Sequence, residues 1–244
     1  MYRAILFDLY DTVVLFRKNV PTLQVAGTRW RSTMDWMREV VAQELPGVSH
    51  DEFLRAITET TAEIIRARPP EYREVPSPER FRRALLRLGA IGADVAGRAE
   101  RFSLAHMRHL AASTETPAQH RTLLQRLTTR YPLALVSNFD HGPTARAILD
   151  RDALTPLFRA IAISDGFGRR KPHPSIFHEA LRQLGVDASD ALFVGDSLHD
   201  DVAGASAVGM DTVWLNPTGE PLPDGACAPT HTVAHLIELE TVLG

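Results

Sequence analysis

The chain has 244 residues, of which 44% are hydrophobic and 23% charged, with a net charge of −3. That balance belongs to a globular protein with one large core or a core plus an insert, and it excludes a nucleic-acid surface and a polybasic membrane patch. Cys227 is the single cysteine, which excludes an intrachain disulfide framework and a multi-cysteine zinc site, and no run of about 18 apolar residues is present to span a bilayer.

The first predicted element is the apolar run 3–7, which leads straight into Asp8. No basic segment followed by an apolar stretch and a cleavage site precedes it, so a cytoplasmic protein is expected. From about 15 to 114 the texture changes to long amphipathic patterns: Trp30, Met34, Met37, Val40 and Val41; then Phe53, Leu54, Ile57, Ile64 and Ile65; then Phe81, Leu85, Leu86 and Leu88, stopped by Gly89. Pro69-Pro70 and Pro76-Ser77-Pro78 break the helices apart. Short apolar runs return at 133–137, 160–163, 191–194 and 211–215, and helical patterns follow at 143–150, 174–185 and 200–208. Gly185 and Gly209 read as helix stops, and the proline-rich stretch 216–230 reads as a loop. Alternation of buried-type strands with helices predicts an α/β fold with a parallel sheet covered by helices on both faces. The expected division is a core made of 1–14 and 115–244, with a small all-helical domain at 15–114.

In a parallel sheet, chemistry gathers at the carboxyl ends of the strands. Three of the predicted strands end in candidate site residues: Asp8, Ser137 with Asn138, and Asp196 after Gly195. Asp200, Asp201 and an isolated Lys171, stiffened by Pro172 and Pro174, lie nearby in sequence. Taken singly, an Asp at a strand end is a turn former or a helix cap, and a lysine is a surface charge. Taken together, Asp8 reads as a carboxylate nucleophile. Ser137 and Asn138 read as donors to an anionic oxygen, and Lys171 as a fixed ammonium for a transferring phosphoryl group. Converging carboxylates repel unless a cation sits among them, and oxygen-only ligands suit Mg²⁺.

The four pieces together resemble the haloacid dehalogenase superfamily of hydrolases. Asp8-Leu9-Tyr10-Asp11-Thr12 corresponds to its first motif, Ser137-Asn138 to its second, Lys171-Pro172 to its third, and Gly195-Asp196-Ser197 with Asp201 to its fourth. The resemblance implies a Rossmann-like core, closed by the helical cap of the first subfamily. It implies Asp8, Thr12, Ser137 and Lys171 as catalytic residues, and Tyr10, Ser137, Asn138 and Lys171 against the substrate. It implies a Mg²⁺ ion held by Asp8, the Tyr10 carbonyl and Asp196, with Asp201 orienting a metal water or pairing with Lys171. Thr12 is expected to hydrogen-bond within the nucleophile turn. Arg17, Lys18 and Arg73 are the candidate cap contacts.

Tyr10 departs from the phosphatases of that superfamily, which carry an Asp there as general acid and base. Haloacid dehalogenases carry a tyrosine at this position, because a halide leaves without a proton, but they replace the first acid of the fourth motif with serine. This chain keeps Asp196. An acidic cluster is harder to explain without a cation than a missing acid is with a good leaving group. The expectation is therefore a Mg²⁺-dependent phosphatase acting on a small phosphorylated metabolite through an aspartyl-phosphate. The alternatives are a 2-haloacid dehalogenase-like carbon-centred hydrolase and a weakly active or non-catalytic phosphate-binding relative. The partner expected is a small-molecule phosphoester or haloacid, with no nucleic acid and no membrane. His231 and His235, at helical spacing, carry no metal expectation; Trp30 and Trp36 read as core of the inserted domain or as interdomain packing, and Trp214 reads as core.

Overall fold

The computed structural model describes residues 2–17, 19–90, 92 and 94–244, without the side chains of Thr28 and Trp30. Lys18 and the Trp30 side chain, both named above, lie outside what is described. In chain order, β1 (Ala4–Phe7) and β2 (Leu15–Phe16) precede a hairpin of β3 (Thr22–Val25) and β4 (Thr28–Arg31). Helices α1 (Arg38–Glu44), α2 (His50–Arg66), α3 (Ser77–Arg87) and α4 (Val95–Ala112) follow. Next come β5 (Thr114–Glu115), α5 (Ala118–Leu127), β6 (Leu133–Ser137), α6 (Gly142–Arg151), β7 (Ala160–Ile163), α7 (Ser164–Phe167) and α8 (Pro174–Leu184). The chain closes with β8 (Ala191–Gly195), a π-helical turn at Leu198–Ala203, α9 (Gly204–Ala207), β9 (Asp211–Leu215), β10 (His231–Val233) and α10 (Leu239–Leu243). Two compact units result: Met1–Phe16, Pro70–Arg73 and Glu115–Gly244 form one, and Arg17–Pro69 with Glu74–Thr114 forms the other. Leu15–Phe16 and Pro70–Arg73, inside the 15–114 stretch, thus group with the sheet.

The sheet unit has six strands in the order β10-β9-β8-β1-β6-β7, and every neighbouring pair is parallel. Its strands are near-continuous apolar runs because helices cover both faces; Leu6, Ala134, Val136 and Phe193 pack with Ile176, Phe177 and Leu181 of α8 in one core. Gly185 ends α8 in the left-handed conformation, at φ 70°, which an L side chain resists. The strands after β1 run outward on one side as β6 and β7, then resume on the other as β8 to β10. The reversal falls between β1 and β8, so the crevice that binds ligands in such sheets lies beyond their carboxyl ends. His231 opens β10 and pairs with Val213, so the spacing to His235 is not that of a helix.

The other unit packs around three rings: Phe53 lies 5.1 Å from Phe102 and 6.5 Å from Phe81, with Met37 and Leu85 alongside. Helix α2 begins at a reciprocal capping box between Ser49 and Glu52, which satisfies two end donors at once. The unit is not wholly helical. Residues 22–31 form an antiparallel hairpin in register Thr22↔Arg31 to Val25↔Thr28, turning at Ala26 and Gly27, both at positive φ. Asn-Gly usually marks such a turn; Ala-Gly gave no comparable signal.

His106 of α4 is 5% exposed, with Nδ1 at 2.8 Å from Thr33 Oγ1. Burial, helped by the charges of Arg80 and His109, holds its imidazole well below the usual value of 6.5. The unfolded chain therefore takes up a proton near pH 6.5 that the folded chain refuses, so this stability contribution is intact above that pH and is lost as pH falls below it. Urea unfolding at pH 7.5 and 5.0 is expected to show a smaller acid-induced loss for His106→Gln than for the parent chain; an equal loss assigns the acid sensitivity to other groups.

Candidate active site

Asp8 follows β1, and its N–H donates to Val194 O of β8 at 2.9 Å, which fixes the backbone between the two central strands. The next residues curl back, with Asp11 at φ 56° and its N–H on Val14 O. Across the crevice, the chain leaves β8 through Gly195 and Asp196 and enters the π-helical turn. The Ser197 hydroxyl caps that turn by accepting from Asp200 N. A π-helical segment of this kind is rare and frequent at functional sites; here it aims Asp201 back towards β1.

The Lys171 ammonium is the hub. It donates to Asp8 Oδ1 at 2.6 Å and to Asp201 Oδ1 at 2.7 Å, and all three side chains are buried. Asp8, Asp196 and Asp201 each present an oxygen, and these lie within 4.8 Å of one another. Three carboxylates around one ammonium leave negative charge in excess. Burial pushes the Asp8 carboxyl up to about 7, Lys171 opposing and Asp201 reinforcing the rise. Burial also lifts Asp196 to about 8, with the charges of Asp8 and Asp201 adding to it. Asp201 is raised by burial too. Burial alone pulls Lys171 down, but Asp201 and Asp8 outweigh it and keep the ammonium charged.

The oxygens divide between two tasks. Asp201 is spent, since its second oxygen accepts from Ser197 N at 3.0 Å. Asp196 makes no side-chain hydrogen bond among the described residues, and the Lys171 ammonium engages only one of the two Asp8 oxygens. An oxygen-only donor set with surplus negative charge fits a hard divalent ion such as Mg²⁺. Asp8 and Asp196 would hold it, with Asp201 turned to Lys171. Thr12 Oγ1 and Ser137 Oγ are both fully buried and have no hydrogen-bond partner among the described residues. The expected bond from Thr12 within its turn is absent. Orphaned buried hydroxyls cost free energy unless a ligand completes them.

Asn138 plays a different part from the one expected. Its Oδ1 accepts from Lys171 N at 2.7 Å, and its Nδ2 donates to Lys171 O and Asp200 Oδ2, both at 3.0 Å. Both side-chain amide protons are used, so the Asn138 side chain clamps the lysine loop and has no N–H of its own left for substrate. Burial pushes Asp200 up, but His199, Arg170 and Lys171 prevail and hold it below the usual carboxylate range. On the far side of the loop, Arg170 N donates to Tyr72 O at 2.9 Å and Arg169 pairs with Glu71 at 2.7 Å. Arg73 bridges Arg169 through the backbone and is exposed. Nothing in the sequence pattern signalled the strap 70–73. His141 and His173 cap α6 and α8.

Tyr10 stacks on Phe16 at 5.5 Å and meets Phe139 at 4.8 Å. Its hydroxyl is buried and has no hydrogen-bond partner among the described residues. Burial, with Asp140 and Asp8, raises the phenol well above its ordinary value of 10, Arg151 opposing weakly. The phenol stays neutral, able to donate a hydrogen bond but not to serve as a base.

Gly195 is required sterically: a Cβ there would sit 2.3 Å from Asp201 Oδ2. Gly195→Ala is expected to displace Asp201, uncouple Lys171 and weaken divalent-cation binding on the order of tenfold or more, read by isothermal titration calorimetry. Unchanged binding would show that the carboxylates align without that close approach.

A family model for haloacid dehalogenase-like hydrolases matches residues 2–209. The glyceraldehyde 3-phosphate phosphatase of Pyrococcus abyssi is 38% identical over 110 residues, covering 45% of this chain and 46% of that protein. The alignment thus spans less than half of that relative. The enzyme of the same name from Methanopyrus kandleri is 29% identical over 88% of this chain and 84% of its own. Among solved structures, a 2-haloacid dehalogenase from Pseudomonas syringae pv. Tomato DC3000 superposes with a TM-score of 0.74 at 24% identity, covering 100% of this chain and 98% of that one.

Proposed function

The chain belongs to the haloacid dehalogenase-like hydrolases, and from that membership we propose a Mg²⁺-dependent phosphatase that cleaves a small phosphorylated metabolite through an aspartyl-phosphate. The observation that carries this reading is the gathering of Asp8, Asp196 and Asp201 around one ammonium, with negative charge left over. Relatives named for glyceraldehyde 3-phosphate support a small sugar- or triose-type phosphate as substrate.

In this mechanism the Asp8 carboxylate attacks phosphorus in line. The bond from phosphorus to the ester oxygen breaks, and the leaving group carries off the electron pair. Lys171 neutralises the non-bridging oxygens, and the hydroxyls of Thr12 and Ser137 donate to them, gaining the partners they lack. Water then attacks phosphorus of the aspartyl-phosphate, the bond from phosphorus to Asp8 breaks with its electron pair returning to the carboxylate, and the water proton passes to the departed alkoxide through solvent. A bound Mg²⁺ would supply Lewis-acid stabilisation of the phosphoryl charge between Asp8 and Asp196. Asn138 and the strap 70–73 hold Lys171 at the height this charge requires.

Tyr10 favours a second reading in one respect. Its phenol lies in an aromatic wall of Phe16 and Phe139, which suits a leaving group that needs no proton, as in a carbon-centred dehalogenase. One screen separates the two. Phosphoesters and 2-chloropropionate are assayed with and without Mg²⁺, with Asp8→Asn as the control. Phosphate release that requires Mg²⁺ and vanishes in Asp8→Asn is expected. Chloride release insensitive to EDTA would establish the dehalogenase reading instead.

A phenol with an ordinary pKa near 10 is a weak acid for an alkoxide, and a placed acid contributes about 10²- to 10⁴-fold. Across aryl phosphates of graded leaving-group acidity, kcat/KM is therefore expected to fall steeply as the leaving group becomes more basic. Tyr10→Asp is expected to flatten that dependence and to raise turnover of alkyl phosphates by on the order of 10²-fold. A shallow slope in the parent chain would mean that another residue already supplies the proton.

A further inference from the structure

Trp214 reads as a core residue in sequence, but its indole reaches the active crevice. It lies in β9, in register with Gly195 of β8, and is 7% exposed. Its Nε1–H donates to the backbone carbonyl of Asp196 at 3.0 Å. That carbonyl belongs to the peptide group whose N–H, on Ser197, donates to Asp201 Oδ2 at 3.0 Å. The other Asp201 oxygen takes the Lys171 ammonium at 2.7 Å, and the ammonium reaches Asp8 at 2.6 Å.

One peptide plane is therefore gripped at both ends, by an indole on its oxygen and by a carboxylate on its N–H. Its orientation decides two things together. It sets the direction in which the Asp196 side chain leaves the backbone, and it sets the donor that turns Asp201 towards Lys171. Hydrogen bonding at the carbonyl also polarises the peptide and strengthens its N–H as a donor. The Asp196 carboxylate has no side-chain partner of its own to hold it, so backbone orientation is what aims it. Groups that orient ligands in this way commonly change metal affinity by about 10- to 100-fold when removed.

We propose that Trp214 is a positioning residue for the cation site, acting through the Asp196–Ser197 peptide, and that its indole reports occupancy of that site. The inference rests on the cation-dependent reading above and adds a residue outside its four motifs. Trp214→Phe keeps the ring in the sheet and removes only the N–H.

The test uses the full chain. Calorimetric titration with Mg²⁺ is run on the parent, on Trp214→Phe and on Thr212→Val, a buried change on the same strand that removes the hydroxyl accepting from Thr230 N. Trp214→Phe is expected to weaken Mg²⁺ binding by about tenfold or more. Thr212→Val is expected to lower the thermal midpoint while leaving Mg²⁺ affinity in place. Equal affinity in Trp214→Phe overturns the proposal, and so does an equal loss in Thr212→Val, which would mean general loosening. A second measurement covers the case in which Trp214→Phe fails to fold. With Trp30 and Trp36 replaced by Phe, Trp214 is the remaining tryptophan, and Mg²⁺ is expected to shift its emission saturably. Calorimetric binding without any change in that emission overturns the proposal. A parent chain that binds no Mg²⁺ at all removes the cation-dependent reading itself, and this inference with it.

Discussion

Everything at the mouth of the sheet turns on one unbalanced charge count. A single buried ammonium, Lys171, faces Asp8 and Asp201 directly, and Asp196 stands within reach of both acids. Water cannot dilute the repulsion in a buried crevice, and burial raises the carboxyls of Asp8, Asp196 and Asp201. That tension is tolerated because the supporting structure is stiff. Parallel strands fix Asp8 and Asp196 at the topological reversal, and a π-helical turn commits Asp201. Two independent grips, Asn138 and the 70–73 strap, keep the lysine loop from relaxing away. A divalent cation is the simplest partner that restores balance, and the same positive charge serves phosphoryl transfer.

Much of this was legible in the amino-acid sequence because buried parallel strands announce themselves. The runs ending at Phe7, Ser137, Ile163 and Gly195 are apolar without alternation, and each is followed by polar residues where a strand must stop. Asp8, Lys171, Asp196 and Asp201 could be picked out because no core strand or apolar helix face needs a charge at those places. The parallel arrangement of β1, β6, β7, β8 and β9 followed from the alternation with helices. Strand β10 did not, because His231-Thr232-Val233 is too short and too polar to stand out. The hairpin at 22–31 escaped for a related reason: its turn is Ala26-Gly27, and its neighbours were read through the helical periodicity around Met34 and Met37.

The interactions that hold the site were less visible, because they join residues far apart in the chain through backbone atoms. Asn138 looked like a donor for substrate; only the fold shows both its amide protons committed to Lys171 and Asp200. Gly195 looked like part of a motif; its reason is the Asp201 carboxylate resting where a Cβ would be. Thr12 and Ser137 were expected at the site, yet their hydroxyls are more telling than spacing implied, since both are buried and unsatisfied. Tyr10 keeps two meanings in sequence, and its aromatic enclosure gives physical content to both.

The strap at Pro70–Arg73 carries a consequence for modularity. These four residues lie in the middle of an inserted stretch, between two of its helices, yet they group with the sheet. The insertion is thus not a detachable bead on two hinges; it sends a third thread back into the body from which it departs. A chain shortened by splicing Phe16 to Glu115 would delete Glu71 and Tyr72, stripping Arg169 of its counter-charge and Arg170 of its backbone acceptor. Loss or exchange of the insert in evolution therefore requires compensation beside Lys171, well away from the two junctions where the graft is made.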